Sequence, residues 1–97
     1  MTDLKSQAAQ RVTIVNEKGL HARASAKLAK LAGRYESTIT VRHEAESASA
    51  RSIMDLLMLV AHQGCEIELT AEGVDAAEAV TALGALVAEG FGELDED

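Results

Sequence analysis

Apolar and polar positions along this chain change period several times, and the changes divide it into short structural elements. Residues 11–16 (RVTIVN) set Val12 and Ile14 on one face at a period of two, the pattern of a half-buried strand. Gly19 breaks that pattern. From Ala22 the spacing turns helical, with Ala24, Leu28 and Leu31 on one stripe and Lys27, Lys30 and Arg34 off it, and Gly33 is the predicted stop. Residues 37–42 (STITVR) alternate again, pointing Ile39 and Val41 one way, and a turn at His43–Glu46 leads to a short polar strand, Ser47–Ala50. The run IMDLLMLV (53–60) is too apolar for a loop; Ser52 before it, with Asp55 three on, reads as a capping box, and Gln63-Gly64 ends that short helix. Residues 65–70 (CEIELT) place Cys65, Ile67 and Leu69 inward and Glu66 and Glu68 outward. After a turn at Gly73, Asp75 and Glu78 form a second capping box for a long helix through about Ala88, with Ala76, Val80, Leu83 and Val87 as its stripe and Ala79 and Leu86 beside it. The order β-α-β-β-α-β-α predicts an α+β fold: a two-layer open-faced sandwich, with a four-stranded antiparallel sheet carrying three helices on one face. A flexible extension (1–9) is expected before the domain (10–90) and a disordered acidic tail (91–97) after it.

Composition narrows the function classes. A chain of 97 residues makes one small domain, and a hydrophobic fraction of 47% suffices for a folded core. Tyr35 and Phe91 are the only aromatics, so Ala, Val, Leu, Ile and Met must fill that core. No run approaches the ~18 apolar residues of a membrane span, and the first ten residues lack the apolar stretch of a secretory signal. The single Cys65 excludes an internal disulfide and fits a cytoplasmic location. A net charge of −7 argues against binding nucleic acid or anionic membranes. Yet residues 1–34 hold Lys5, Arg11, Lys18, Arg23, Lys27, Lys30 and Arg34 against Asp3 and Glu17, and no Lys or Arg follows Glu66. A local basic patch in an acidic chain calls for a specific anionic target. His43 and His62, read as solvated loop residues, lack metal-ligand spacing with Cys65, so no metal or cofactor is expected. Glu66 and Glu68 read as an outward strand face, not a catalytic pair.

The chemistry concentrates in Gly19-Leu20-His21-Ala22-Arg23-Ala24-Ser25-Ala26. With a helix starting at Ala22, His21 is the N-cap, and the amides of Ala22, Arg23 and Ala24 have no intrahelical acceptor. They point to where the helix dipole is positive, a ready site for a phosphoryl group. Arg23 adds a permanent charge and a fork that suits phosphate oxygens. Gly19 allows a tight strand-to-helix turn. Neutral imidazole is a good nucleophile near pH 7, and its phosphorylated form passes the group on. On spacing alone, a simple helix-capping histidine is an equal reading.

The block GLHARASA resembles the active-site signature of HPr, the histidine-containing phosphocarrier family of the bacterial phosphoenolpyruvate-dependent phosphotransferase system, whose pattern runs G-[LI/M]-H-[AT]-R-P-A. Ser49-Ala50-Arg51-Ser52-Ile53-Met54, with LLML following, resembles the family's regulatory-serine segment, and AEGVDAAEAV (71–80) its turn into the last helix. The likeness covers about residues 10–90. It implies that His21 carries the phosphoryl group on Nδ1 beside Arg23, and that Ser52 is the target of a kinase/phosphorylase. It also implies that Ile53, Met54, Leu57 and Met58 form an apolar patch docking enzyme I and enzyme IIA domains. Lys27 and Lys30 flank His21 and would steer acidic partner surfaces, or serve only as the helix's solvated side. Such a protein is a stoichiometric relay, more than a turnover enzyme, and is expected to be a monomer.

Three positions depart from the pattern. Ala24 stands where the family almost always has proline; helix entry survives, one more amide donor faces His21, and transfer is expected to persist with altered His21 basicity or phosphoryl lifetime. Asp55 brings a negative charge into the docking patch where many members have Gly or Lys, and the turn at His43–Glu46 lacks a glycine. An LLML run also occurs in members of the nitrogen-related branch, so sugar uptake and nitrogen control both stay open. Two rivals compete with the relay. One is a regulatory module of the same fold acting by docking and Ser52 phosphorylation with little or no relay; without the resemblance, Ser52 reads better as a plain N-cap, and Met54 and Met58 as core filler. The other is a ferredoxin-like RNA or small-ligand binder, which the scarcity of aromatics and the negative charge disfavour.

Overall fold

The computed structural model describes residues 6–94. Strand β1 runs Ser6–Thr13, helix α1 Ala22–Ala32, β2 Thr38–His43, β3 Glu46–Ser49, helix α2 Ile53–Met58, β4 Glu66–Gly73 and helix α3 Ala76–Ala88, followed by a 3-10 turn at Gly90–Gly92. The strands order as β1-β4-β2-β3, with every neighbouring pair antiparallel. This is the predicted open-faced sandwich.

Alternation builds the inner face of the sheet. Ile67, Leu69 and Ala71 of β4 and Ile39 and Val41 of β2 are buried, while their neighbours Glu68, Thr70 and Thr40 face the other way. Against them pack Ala24, Leu28 and Ala32 of α1, Leu56 of α2, and Ala76, Ala79, Val80, Leu83 and Val87 of α3. Small residues let α3 lie close to the sheet: a Cβ at Gly84 would fall 2.4 Å from the Gln10 amide nitrogen of β1. On the outward side Arg11 spans Glu66 and Glu68, at 3.4 and 4.0 Å, a solvent-exposed pairing that contributes little.

Several expectations are corrected. β1 begins at Ser6, so residues 6–9 are strand and not a flexible extension: they pair with Gly73–Thr70 of β4 through backbone bonds, which need no apolar alternation. Residues 1–5 of that extension lie outside the described residues. The tail is ordered through Leu94, with Phe91 fully buried, and only its last three residues, 95–97, lie outside the description. α2 stops at Met58, before Gln63-Gly64. Asp75 sits at the head of α3 but makes no side-chain cap. Its carboxylate instead accepts from the amides of Glu36 and Ser37, both at 2.9 Å, and from the Ser37 hydroxyl at 2.5 Å. Those bonds, the Ser37 hydroxyl foremost, hold the Asp75 carboxyl below its ordinary value and tie α3 to the entry of β2. His43 is not a solvated loop residue but the last residue of β2, half-buried, with Nδ1 3.0 Å from the Leu59 carbonyl oxygen. His62 is exposed as expected.

Candidate functional site

The chain from β1 to α1 is anchored at both ends before it reaches His21. Ile14 pairs with the 64–65 segment through Ile14 N to Cys65 O and Gly64 N to Ile14 O. Buried Asn16 donates from Nδ2 to the Gly19 carbonyl at 2.8 Å, and Gly19 N returns to Asn16 O at 3.1 Å. Gly19 takes a left-handed φ of +64°, which turns the chain so that Leu20 N meets Ala61 O at 2.9 Å and the Leu20 side chain enters the core. Ser25, fully buried, donates its hydroxyl to Leu20 O.

His21 then caps α1 in an extended conformation (φ −79°, ψ −175°), and the first helical bond runs from Ser25 N to His21 O. The amides of Ala22, Arg23 and Ala24 precede that bond, at the positive end of the helix. His21 Nδ1 accepts from Arg23 N at 3.3 Å, so the ring faces these amides, and its side chain is 25% exposed. Arg23 is exposed on the same turn.

The other face of the ring holds a group that sequence reasoning missed. Glu93 Oε2 lies 2.6 Å from His21 Nε2, while Oε1 accepts from Asn16 Nδ2 at 2.9 Å. Burial pushes the Glu93 carboxyl up, but the bonds from Asn16 and His21 and the charges of His21 and Lys27 outweigh it and hold it below the usual range. Phe91 brings Glu93 there. It is fully buried with φ +58°, between Gly90 and Gly92 at φ +69° and +75°, and this left-handed run folds the chain leaving α3 back over α1. Lys27 Nζ donates to the Phe91 carbonyl at 2.6 Å, so Lys27 fastens the tail and is not simply a solvated or steering lysine. The available signal was the motif itself: one of only two aromatics, set between glycines just past a helix. An open groove of about 490 Å³ borders the site, lined by Val15, Glu17, Lys18, Arg23, Gln63, Glu93 and Leu94.

The remaining candidates lie on α2 and the outer side of α1. Ser52 is the N-cap of α2, half-buried, with Oγ accepting from Asp55 N at 3.2 Å. Ile53, Met54 and Met58 are 41, 70 and 73% exposed, so the methionines are not core filler, and Val60, also 73% exposed, joins them. Leu57 is half-buried and Lys30 exposed, whereas Leu56 and Leu59 belong to the core. Helices α1 and α2 pack side by side. Among the described residues, no group of three or more His, Cys, Asp or Glu side chains could hold a metal ion, and no helix is long and apolar enough to cross a membrane.

Fold and site together define a class: small open-faced α+β domains that carry an imidazole at a helix N-terminus. The chain belongs to the HPr phosphocarrier family of the phosphotransferase system, because residues 8–89 match the family described as "PTS HPr component phosphorylation site". It is 47% identical to the phosphocarrier protein HPr of Cupriavidus necator over 81 residues, covering 84% of this chain and 91% of that one. To the phosphocarrier protein NPr of Proteus mirabilis it is 44% identical over 85 residues, covering 87% and 94%. The crystal structure of HPr-C-His from Thermoanaerobacter tengcongensis superposes with a TM-score of 0.84 at 36% identity, over 88% of this chain and 96% of that one.

Proposed function

We propose that His21 relays a phosphoryl group from a phosphohistidine of enzyme I, charged by phosphoenolpyruvate, to a histidine of an enzyme IIA domain. The observation that carries this reading is His21 at the N-cap of α1 with Nδ1 turned to the Arg23 amide. In loading, the Nδ1 lone pair forms the new N–P bond while the donor's N–P bond breaks and its electron pair returns to the donor ring. The amides of Ala22, Arg23 and Ala24, with the Arg23 side chain, then meet the phosphoryl oxygens, favoured by the helix dipole. Forming the N–P bond uses the Nδ1 lone pair to which Arg23 N donates, so that amide turns to a phosphoryl oxygen, while the Ala22 and Ala24 amides have no helical acceptor to give up.

Partner docking falls to the apolar rim of α2. Ile53, Met54 and Met58, with half-buried Leu57, offer a surface on the helix beside α1. Exposed Lys30 and the basic side of α1 steer acidic partners. In this reading the protein works in the cytoplasm as a monomer without a cofactor, consumed and regenerated with each transfer. Relatives named HPr and NPr resemble it almost equally, so the proposal covers a carrier in either the sugar or the nitrogen-related branch.

A second reading rests on Ser52, whose partly exposed hydroxyl stands at the head of the docking helix. Phosphorylation there by a kinase/phosphorylase would place about two negative charges beside the apolar rim and block docking without unfolding the domain. In that version the protein is a regulatory module with little relay. Incubation with enzyme I and ³²P-labelled phosphoenolpyruvate separates the two. The relay predicts acid-labile label that vanishes in His21→Ala; absence of such label from the wild-type protein would leave only the docking module.

A further inference from the structure

We propose that Glu93 is a positioning residue for His21: it holds the proton on Nε2, which leaves Nδ1 as the nucleophile and keeps the phosphorylated ring a good leaving group. The inference rests on the reading of His21 as the phosphoryl acceptor and adds a residue outside the motif that suggested it.

The contacts on the two ring nitrogens are opposite in kind. Glu93 Oε2, a carboxylate oxygen 2.6 Å from Nε2, can only accept, so Nε2 must donate. Arg23 N, 3.3 Å from Nδ1, can only donate, so Nδ1 must present its lone pair. One neutral tautomer satisfies both. The carboxylate is itself held in place, because Oε1 accepts from Asn16, whose amide group is committed to Gly19 O as well. The backbone two residues before it is pinned by buried Phe91 and by Lys27 on the Phe91 carbonyl. A side chain only 9% exposed gives the charge-assisted bond a water-poor setting.

The chemistry follows from the proton. When Nδ1 attacks phosphorus, the ring acquires the phosphoryl group on Nδ1 while keeping its proton on Nε2, so it becomes a cation facing the Glu93 carboxylate. In unloading, the N–P bond breaks, its electron pair returns to Nδ1, and neutral imidazole leaves. Had the Nε2 proton been lost first, the leaving group would be an imidazolate, a far poorer one. By holding that proton, Glu93 keeps unloading fast as pH rises. The other charged groups around this contact are Lys27 and Arg23 of α1 and Glu17 and Lys18 of the preceding loop. They are unchanged in the variants below.

Glu93→Gln is the informative change, since an amide has one acceptor oxygen where the carboxylate serves two donors. If that oxygen stays with Asn16, the Gln amide nitrogen faces His21 and favours the opposite tautomer. Glu89→Gln, the same change at an exposed carboxylate at the end of α3, controls for the loss of a charge near the tail. Histidine-¹⁵N NMR of the unphosphorylated proteins above pH 7 reads the tautomer directly. The wild type and Glu89→Gln are expected to show a protonated Nε2, and Glu93→Gln a mixture or the reverse. Transfer from the phosphorylated proteins to an enzyme IIA domain is expected to match near pH 6 but to run about tenfold slower for Glu93→Gln near pH 8, equivalent to ~1.4 kcal/mol. A protonated Nδ1 in the wild type, or tautomer and pH profiles unmoved by Glu93→Gln, would overturn the proposal. Failure of the wild type to take label from enzyme I would overturn the relay instead, and the tautomer measurement would still judge Glu93.

Discussion

Replacing Gly19 by alanine probes the turn that aims His21, and its cost can be worked from the geometry. Gly19 has φ +64°, a left-handed conformation that costs an L-residue ~1–2 kcal/mol. A Cβ there would fall 2.6 Å from Ala61 O and 2.7 Å from His62 Cα. Both are backbone atoms and cannot rotate away, so the two segments must part. The bond between them, Leu20 N to Ala61 O at 2.9 Å, is then stretched or lost, which adds ~1–3 kcal/mol because Leu20 and Ala61 are buried. Alanine returns ~0.4–1 kcal/mol by stiffening the unfolded chain. Taking the middle of each range, the net destabilisation is about 3 kcal/mol, or a drop in Tm of ~12–24 °C for a domain of this size. Urea unfolding followed by circular dichroism measures it. At temperatures where the variant is still folded, labelling by enzyme I should also fall, because the residue after Leu20 is His21. A loss below ~1 kcal/mol with an unchanged urea slope would refute the claim that this close backbone approach holds the site.

Three further outcomes follow from other parts of the structure. Ser52→Ala removes the bond to Asp55 N and should cost about 1 kcal/mol in urea unfolding while leaving labelling of His21 intact. Asp75 has its carboxyl held below the ordinary value of 3.8, so its contribution to stability is present above that pH and is lost as pH falls through the folded-state value; Asp75→Asn should flatten the fall of Tm below about pH 4 and lower Tm at pH 7. Ala24→Pro removes an amide that has no helical acceptor, so stability should change by less than ~1 kcal/mol, but the phosphoryl group loses one donor and its half-life should shorten about fivefold, measured as loss of acid-labile label.

The legible parts of this chain were those where local pattern and tertiary packing agree. Helix α1 could be bounded from Ala22 and Gly33 alone, and His21 could be placed at its cap, because the apolar stripe, the glycine stop and the buried face coincide. Ile39, Val41, Ile67 and Leu69 point inward as their alternation requires. Reading failed where a distant partner decides. Ser6–Ala9 carry no strand pattern and are strand because β4 extends to Gly73 and supplies backbone partners. Asp75 has the spacing of a helix cap, yet the Ser37 segment, 38 residues away, competes for its carboxylate and wins three bonds. Glu93 looked like one acid among several in a polar tail. What sets it apart is Phe91, whose burial across α1 brings a carboxylate to a histidine 72 positions earlier.

The phosphohistidine itself is the most direct test of the central claim. Protein labelled with ¹⁵N-histidine, charged with enzyme I and phosphoenolpyruvate, is observed by ³¹P and ¹⁵N NMR. A single phosphoryl group coupled to Nδ1 of His21, with Nε2 still protonated, is the predicted result. Phosphorus coupled to Nε2, or carried by any residue other than His21, would contradict it.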